Sequence, residues 1–261
     1  MNNVNKTLYI PLYGKAYVSQ KGIVLSDQKA EEIWSREGFK LKGKSKSKWL
    51  AYYMGMRSRV FDDWTRDKVM ENQDCVIIHI GCGLDSRVMR VGLNEQMWYD
   101  VDFPEVIKER RKYFIESSYY KMIEGDVSKD AWLLSIPKAK KAVVVMEGVS
   151  MYLAPRELEL LVSRLADHFD SFSLLMDCYT TLAAKMTKIK NPINDVGVTL
   201  VYGIDDPKAL ETHNLSFVKE HEMTPKHLVN ELASSERKLF EGLYGGSFSK
   251  KLYRLYEYNK Y

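Results

Sequence analysis

Gly81 and Gly83 follow the apolar run Val76–Ile80 and open the segment Gly81-Cys82-Gly83-Leu84-Asp85-Ser86-Arg87. Glycines after a strand let the backbone approach a ligand closely, although the same pair also marks an ordinary tight turn. Asp102 adds a second signal. It ends the next apolar run, roughly 20 positions on, where a carboxylate can accept both ribose hydroxyls of an adenosine cofactor. The third position of a dinucleotide turn normally holds Gly or Ala, for close helix packing against a pyrophosphate; here it is Ser86. That departure disfavours a nicotinamide-dependent oxidoreductase and favours a nucleoside cofactor without phosphates.

S-adenosylmethionine is such a cofactor, carrying a sulfonium cation and an amino-acid end whose carboxylate needs a positive partner. Arg57 is the candidate. It sits within a helical stripe of Leu50, Tyr53, Met54, Val60, Phe61 and Trp64, where a guanidinium needs a carboxylate from either the protein or a ligand. Glu147, directly after the apolar run Ala142–Met146, would stand at the carboxyl edge of a sheet and could hold the cofactor's amino group, or serve as a helix-entry or salt-bridge acid. Asp126, in Glu124-Gly125-Asp126-Val127, could accept from the adenine amino group or simply form a turn.

The elements that must position these residues are legible as alternating apolar runs and amphipathic stretches. Cys75–Ile80, Met97–Val101, Ala142–Met146 and Phe172–Met176 read as buried strands, and Tyr119–Ile123 as a weaker fifth. Pro104–Glu116 and Pro155–Phe169 read as helices with proline in the first turn. Successive β-α-β units of this length predict a doubly wound α/β fold with a mostly parallel sheet. Residues 27–39 and about 47–71 are expected to be helices. After Cys178, a helix over Thr181–Lys190, a loop over Asn191–Gly203, a short helix over Pro207–His213, an extended Leu215–His221, a helix from Pro225 and an extended Lys251–Tyr258 are expected.

Composition sets limits. With 45% hydrophobic and 28% charged residues, the chain reads as an ordinary globule, and no apolar stretch is long enough to span a membrane. Neither a secretory signal nor a disulfide framework is apparent, so a cytoplasmic protein is expected. Cys75, Cys82 and Cys178 form no CxxC knuckle and the five histidines no HExxH, so no metal is expected. The alternating Lys40, Lys42, Lys44, Lys46 and Lys48 suit a solvated loop, or attraction of an acidic partner. No nucleic-acid or membrane partner is expected, and the oligomeric state is open.

The sequence resembles the leucine carboxyl methyltransferase family, especially its bacterial O-methyltransferase branch of polyketide pathways. The resemblance rests on Thr7-Leu8-Tyr9-Ile10-Pro11-Leu12-Tyr13-Gly14-Lys15-Ala16, on Arg57 with Phe61-Asp62, on Gly81 to Arg87, on Tyr99 to Ile107, and on Glu147-Gly148-Val149-Ser150-Met151-Tyr152-Leu153. It covers about residues 7–180 and fades beyond, where Tyr202 to Asp206 fits loosely. It implies a class I S-adenosylmethionine-dependent methyltransferase fold with a seven-stranded sheet, N-terminal helices and a helical cap insertion. One domain is expected: a helical lid over 1–72, a cofactor-binding core over 73–180, and a cap and sheet-closing part over 181–261. The resemblance also implies that Arg57 and Lys15 bind the cofactor carboxylate, that Gly81 and Gly83 lie under its methionine part, and that Asp102 holds the ribose. Asp126 and Val127 should flank adenine, Glu147 should face the amino end, and Tyr152 should border the methyl group and the acceptor. Lys15 stands where the family has Arg about as often.

Methyl transfer from a sulfonium is an in-line displacement. A carboxylate acceptor needs no general base, whereas a hydroxyl acceptor must lose its proton, with Tyr152, Asp177 and Tyr179 as candidate bases. The expected acceptor is a small molecule or metabolite, carrier-bound or secondary metabolites included. The rival readings are a cofactor-binding regulatory module without transfer activity and a nicotinamide-dependent oxidoreductase.

Overall fold

The computed structural model describes residues 8–37, 41, 43–92, 95–186, 200–211, 215–245 and 251–261. Seven strands form one sheet in the order β3-β2-β1-β4-β5-β7-β6: β1 Val76–Ile80, β2 Trp98–Asp102, β3 Tyr120–Glu124, β4 Lys141–Met146, β5 Ser171–Tyr179, β6 Leu215–Glu220 and β7 Tyr253–Lys260. β1 to β5 pair in parallel, while β7 runs antiparallel to both β5 and β6. The chain winds outward from β1 through β2 to β3 and then returns to place β4 on the other side of β1. The order therefore reverses between β1 and β4, the place where ligands of open α/β sheets collect.

Nine helices are described: α1 Tyr9–Gln20, α2 Gln28–Glu37, α3 Lys48–Glu71, α4 Arg87–Val91, α5 Pro104–Arg110, α6 Pro155–His168, α7 Thr181–Met186, α8 Lys226–Val229 and α9 Ser234–Phe240. None is long and apolar enough to cross a membrane among the described residues. Residues of α1 to α5, α8 and α9 pack with Ile77, Val143, Val145 and Leu175 on one face of the sheet. Residues of α6 and the 3-10 turn Ala131–Ser135 pack with Ile78, Ile80, Val144 and Met146 on the other. Because strand side chains alternate between faces, His79, Asp100, Glu147, Asp177 and Glu257 share the face of the first set, and all five are buried there. A row of buried acids beneath a helical layer requires cations from that layer.

The sheet follows the expected strands within a few residues. The helices depart more. α1 is absent from the expected elements, and α5 stops at Arg110 rather than Glu116, because the chain turns there to bring Tyr113 and Phe114 into the core. Pro207–Leu210 is a 3-10 turn, and the helix from Pro225 divides into α8 and α9. α7 is described to Met186; the remainder of that expected helix and residues 191–199 of the expected loop lie outside the described residues. So do Lys40 and Lys42, whereas Lys48 opens α3 and pairs with Glu236 at 2.6 Å.

The apolar stripe of α3 is wider than its sequence pattern, since Tyr52, Met56 and Ser58 are buried as well. The reason is that α1 lies across it at glycine distance. A Cβ on Gly14 would stand 2.6 Å from Met54 Cβ, and one on Gly55 would stand 2.7 Å from Val18. These two glycines make room for Met54 and Val18 of the facing helix and let the two helices approach closely.

Candidate functional site

A cavity of about 300 Å³ opens at the carboxyl ends of β1 to β4. Lys15, Arg57, Gly81, Gly83, Asp102, Asp126, Val127, Glu147 and Tyr152 all line it. α1 and the residue before it supply one wall, through Leu8, Ile10, Pro11 and Lys15.

The glycine turn is required by its geometry. Gly81 (φ +67°) and Gly83 (φ +52°) are both left-handed, which costs other residues free energy. A Cβ on Gly81 would also stand 2.1 Å from Val149 Cγ2, on the loop after β4. The turn is anchored from both sides. The Gly83 N–H donates to Asp102 Oδ2 at 2.8 Å, while Arg110 Nη1 donates to the Gly83 carbonyl at 3.0 Å. Arg110 also donates to Asp100 and to the Tyr120 hydroxyl. Asp102 receives a second N–H, from Phe103 at 2.8 Å, yet burial outweighs both bonds and raises its carboxyl to about 6. On the neighbouring strand end, Asp126 Oδ1 accepts the Ser128 N–H at 2.9 Å.

Arg57 crosses from α3 to the row of acids on the sheet. Its Nε lies 3.0 Å from Glu147 Oε1 and its Nη2 2.8 Å from the same oxygen. Nη1 donates to Asp177 Oδ2 at 3.0 Å and to the Tyr253 hydroxyl at 2.7 Å. Beyond its ion pair with Glu147, Nη2 has no contact with another protein acceptor given among the described residues. Gly148, at φ +73°, faces that nitrogen, and a Cβ there would stand 3.8 Å from it. The internal ion pair left open by the sequence is therefore present, and Arg57 lines the cavity as well.

The network extends through residues whose roles sequence reasoning did not assign. Arg87, at the start of α4, donates to Glu147 Oε2 and to Asp62 at 2.8 Å, and its Nη1 lies 3.1 Å from His79 Nε2. Its Nη2 is 3.4 Å from Asp85, which also binds Lys15 at 3.2 Å and Arg90 at 2.8 Å. Burial opposes the charge of Glu147, but Arg57 and Arg87 overcome it and hold its carboxyl at about 2. His79 is kept neutral: burial lowers its pKa against the pull of Asp100, whose Oδ1 lies 3.2 Å from Nδ1. Ser86 belongs to this network too, donating to Asp27 at 2.5 Å, which explains a hydroxyl at the third turn position.

Asp177, considered as a base for a hydroxyl acceptor, is engaged by donors within the protein. It is fully buried and absent from the cavity wall. Oδ2 accepts from Arg57 and from Tyr253 (2.6 Å), and Oδ1 accepts the Gly148 N–H at 2.7 Å. Its position is structural because β4 and β5 run in register, Met146 beside Met176, which sets Glu147 next to Asp177 with Arg57 between them. Tyr179 and Tyr253 do line the cavity, with ring centroids 5.0 Å apart. Tyr253 was not foreseen; its only sequence signal is an aromatic at the head of an alternating run.

Comparison with known proteins agrees with this geometry. The tetracenomycin polyketide synthesis O-methyltransferase TcmP of Streptomyces glaucescens is 29% identical over 217 residues, covering 81% of this chain and 79% of the relative. An S-adenosyl-L-methionine-dependent methyltransferase, dpfgK of Gibberella zeae, is 27% identical over 236 residues, covering 82% and 79%. Magnesium protoporphyrin IX methyltransferase of Synechocystis PCC 6803, solved with bound SAH, shares the fold at 12% identity and a TM-score of 0.53, covering 95% of this chain and 97% of that one. The family model for leucine carboxyl methyltransferase matches residues 6–166, well over half of the sequence. The chain belongs to the leucine carboxyl methyltransferase family.

Proposed function

We propose that this S-adenosylmethionine-dependent methyltransferase passes the methyl group to an oxygen of a small molecule or metabolite, with the cofactor held in the cavity beside the glycine turn. The observation that carries the reading is the convergence, at the β1/β4 reversal, of a left-handed glycine turn, a buried carboxylate at Asp102 and the guanidinium of Arg57. These groups fit an adenosine joined to an amino acid. Asp102 retains lone pairs for the ribose hydroxyls beyond the two N–H bonds that orient it. Asp126 and Val127 border the adenine. Arg57 and Lys15 meet the cofactor carboxylate, and Glu147 meets its ammonium.

S-adenosylmethionine supplies a methyl group on a positively charged sulfur. The chain's own residues align the reactants and exclude water. As the S–CH₃ bond breaks, the O–CH₃ bond forms from an oxygen lone pair, and a hydroxyl acceptor also releases its proton. Tyr152, in the 3-10 turn Ser150–Tyr152, borders this end of the cavity, where it limits how the acceptor can approach. The relative TcmP, named for tetracenomycin polyketide synthesis, supports an acceptor of metabolite size, whether free or carrier-bound.

Calorimetry with S-adenosylmethionine and S-adenosylhomocysteine, followed by transfer of a radiolabelled methyl group to fractionated cell extract, tests the reading. Binding of the cofactor and label in a small-molecule fraction are expected. Heat with a nicotinamide dinucleotide alone would overturn it, and label found only in macromolecules would overturn the small-molecule assignment.

A further inference from the structure

The two glycines of the turn are held in different ways. Gly81 is crowded by Val149, whereas a Cβ on Gly83 would meet only Leu8 Cβ among the described residues, at 3.5 Å. The main-chain bonds of the turn run from the Gly81 and Cys82 N–H groups to the Val101 carbonyl, at 2.8 and 3.3 Å, and from the Asp85 N–H to the Cys82 carbonyl, at 2.9 Å. None of these bonds includes Gly83. Glycine has more backbone freedom than any other residue, so neither packing nor a main-chain bond of the turn fixes Gly83 at φ +52°. Two side chains do: Asp102 accepts its N–H, and Arg110 donates to its carbonyl.

Arg110 is itself fixed on every side. It is fully buried and absent from the cavity wall. Its Nε donates to the Tyr120 hydroxyl at 3.0 Å, its Nη2 to Asp100 Oδ2, and its guanidinium carbon lies 4.0 Å from the centroid of the Phe114 ring. The Tyr120 hydroxyl donates to the same Asp100 oxygen at 2.6 Å, so the acid that anchors the guanidinium is oriented in turn. Burial opposes the charge of Arg110, but Asp100 outweighs it and holds the group protonated. A buried ion pair is weak evidence for stability, since apolar side chains of similar volume often serve as well. What apolar side chains cannot do is join β2, β3 and the glycine turn through one planar fork of donors.

We propose that Arg110 is a positioning residue for cofactor binding: by holding the Gly83 carbonyl it keeps the Gly83 N–H on Asp102, and so sets the Asp102 carboxylate for the ribose hydroxyls. This rests on the cofactor placement given under Proposed function. Arg110 acts through Gly83 and Asp102, and reaches no ligand itself. A lysine at this position keeps a cation for Asp100, but its compact ammonium lacks the planar fork that reaches Gly83, Asp100 and Tyr120 together.

The test is a double-mutant cycle read by calorimetric titration with S-adenosylhomocysteine at pH 8, on the unmodified chain, Arg110→Lys, Asp102→Asn and the two combined. Arg110→Lys is expected to weaken binding about fivefold or more when Asp102 is present, and less than about twofold when it is replaced by Asn. An arginine that merely supports the fold would weaken binding by the same factor in both backgrounds. If Arg110→Lys does not fold, Arg110→Met combined with Asp100→Asn takes its place in the cycle, because it removes both buried charges and strands neither; the same pattern is expected. Equal factors in the two backgrounds, or no loss beyond twofold with Asp102 present, overturn the positioning role. S-adenosylhomocysteine that fails to bind the unmodified chain, or that binds Asp102→Asn as tightly, overturns instead the cofactor placement on which that role depends.

Discussion

Arg57 and Glu147 meet at one oxygen, with Nε donating to Oε1 at 3.0 Å and the charged Nη2 2.8 Å from it. Both are buried, and both face the cavity. Replacing Arg57 would leave Glu147 with Arg87 and the Ser58 hydroxyl, and Asp177 with no cation. Arg57→Ala is therefore expected to destabilise the fold by roughly 3–5 kcal/mol and also to lose the melting shift that S-adenosylhomocysteine produces. Thermal melts with and without ligand check both. A variant that melts normally without ligand would contradict the internal pairing, and one that keeps a full shift would contradict the ligand contact.

Asp102 should make cofactor binding depend on pH. Burial raises its carboxyl to about 6, so the carboxylate that accepts ribose hydroxyls is lost as pH falls through 6. Affinity is expected to drop by up to about tenfold per pH unit below that value, one proton per binding event. Asp102→Asn should bind weakly at every pH with the dependence gone. The folding linkage has the opposite sense: a raised carboxyl costs stability as pH rises from about 4 to 6. Calorimetric titration of S-adenosylhomocysteine between pH 5 and pH 8, run on both proteins, separates these effects.

Gly81→Ala combines a left-handed backbone with a 2.1 Å approach to Val149. Overpacking alone is expected to cost about 1–3 kcal/mol, and the displaced turn should lower cofactor affinity. Adding Val149→Ala should recover part of the stability, because it removes the collision and leaves the backbone strain. Urea unfolding of the single and double variants provides the comparison; equal midpoints would show that the collision is relieved in some other way.

Cofactor binding and methyl transfer should persist in excess chelator. Among the described residues no group of three or more His, Cys, Asp or Glu side chains could hold a metal ion. Transfer lost on chelation and restored by magnesium alone would refute this.

The strands of the parallel core could be read from the sequence because each is a continuous apolar run bounded by turn residues. α1 could not. Five of its six buried residues, Ile10, Leu12, Gly14, Ala16 and Val18, fall at every second position, with Lys15 the sixth, a strand-like rhythm that arises because the helix is enclosed on several sides. Arg57 stood out as a charge on an apolar helix, and Asp102 and Glu147 as acids at strand ends. Their partners did not, since Arg57 reaches Asp177 across 120 positions and Arg87 reaches Glu147 across 60. The alternation that puts His79, Asp100, Glu147, Asp177 and Glu257 on one face was present in the strands, but the cations answering them come from helices placed by tertiary packing. The roles of the nine site residues remain proposals resting on their shared cavity.

The separation between Arg57 and its two acids also orders events in time. Arg57 leaves the ribosome 90 residues ahead of Glu147 and 120 ahead of Asp177. Until β4 and β5 follow, α3 carries a cation on an apolar side with no sheet acid to receive it, so the helical layer cannot seat. Closing contacts over such distances is slow, because loop entropy is spent before the contact forms. The cofactor cavity consequently needs β4 and β5 before its acids and Arg57 can meet, and a nascent chain halted before residue 177 is expected to present its N-terminal helices without those acids, open to capture by chaperones.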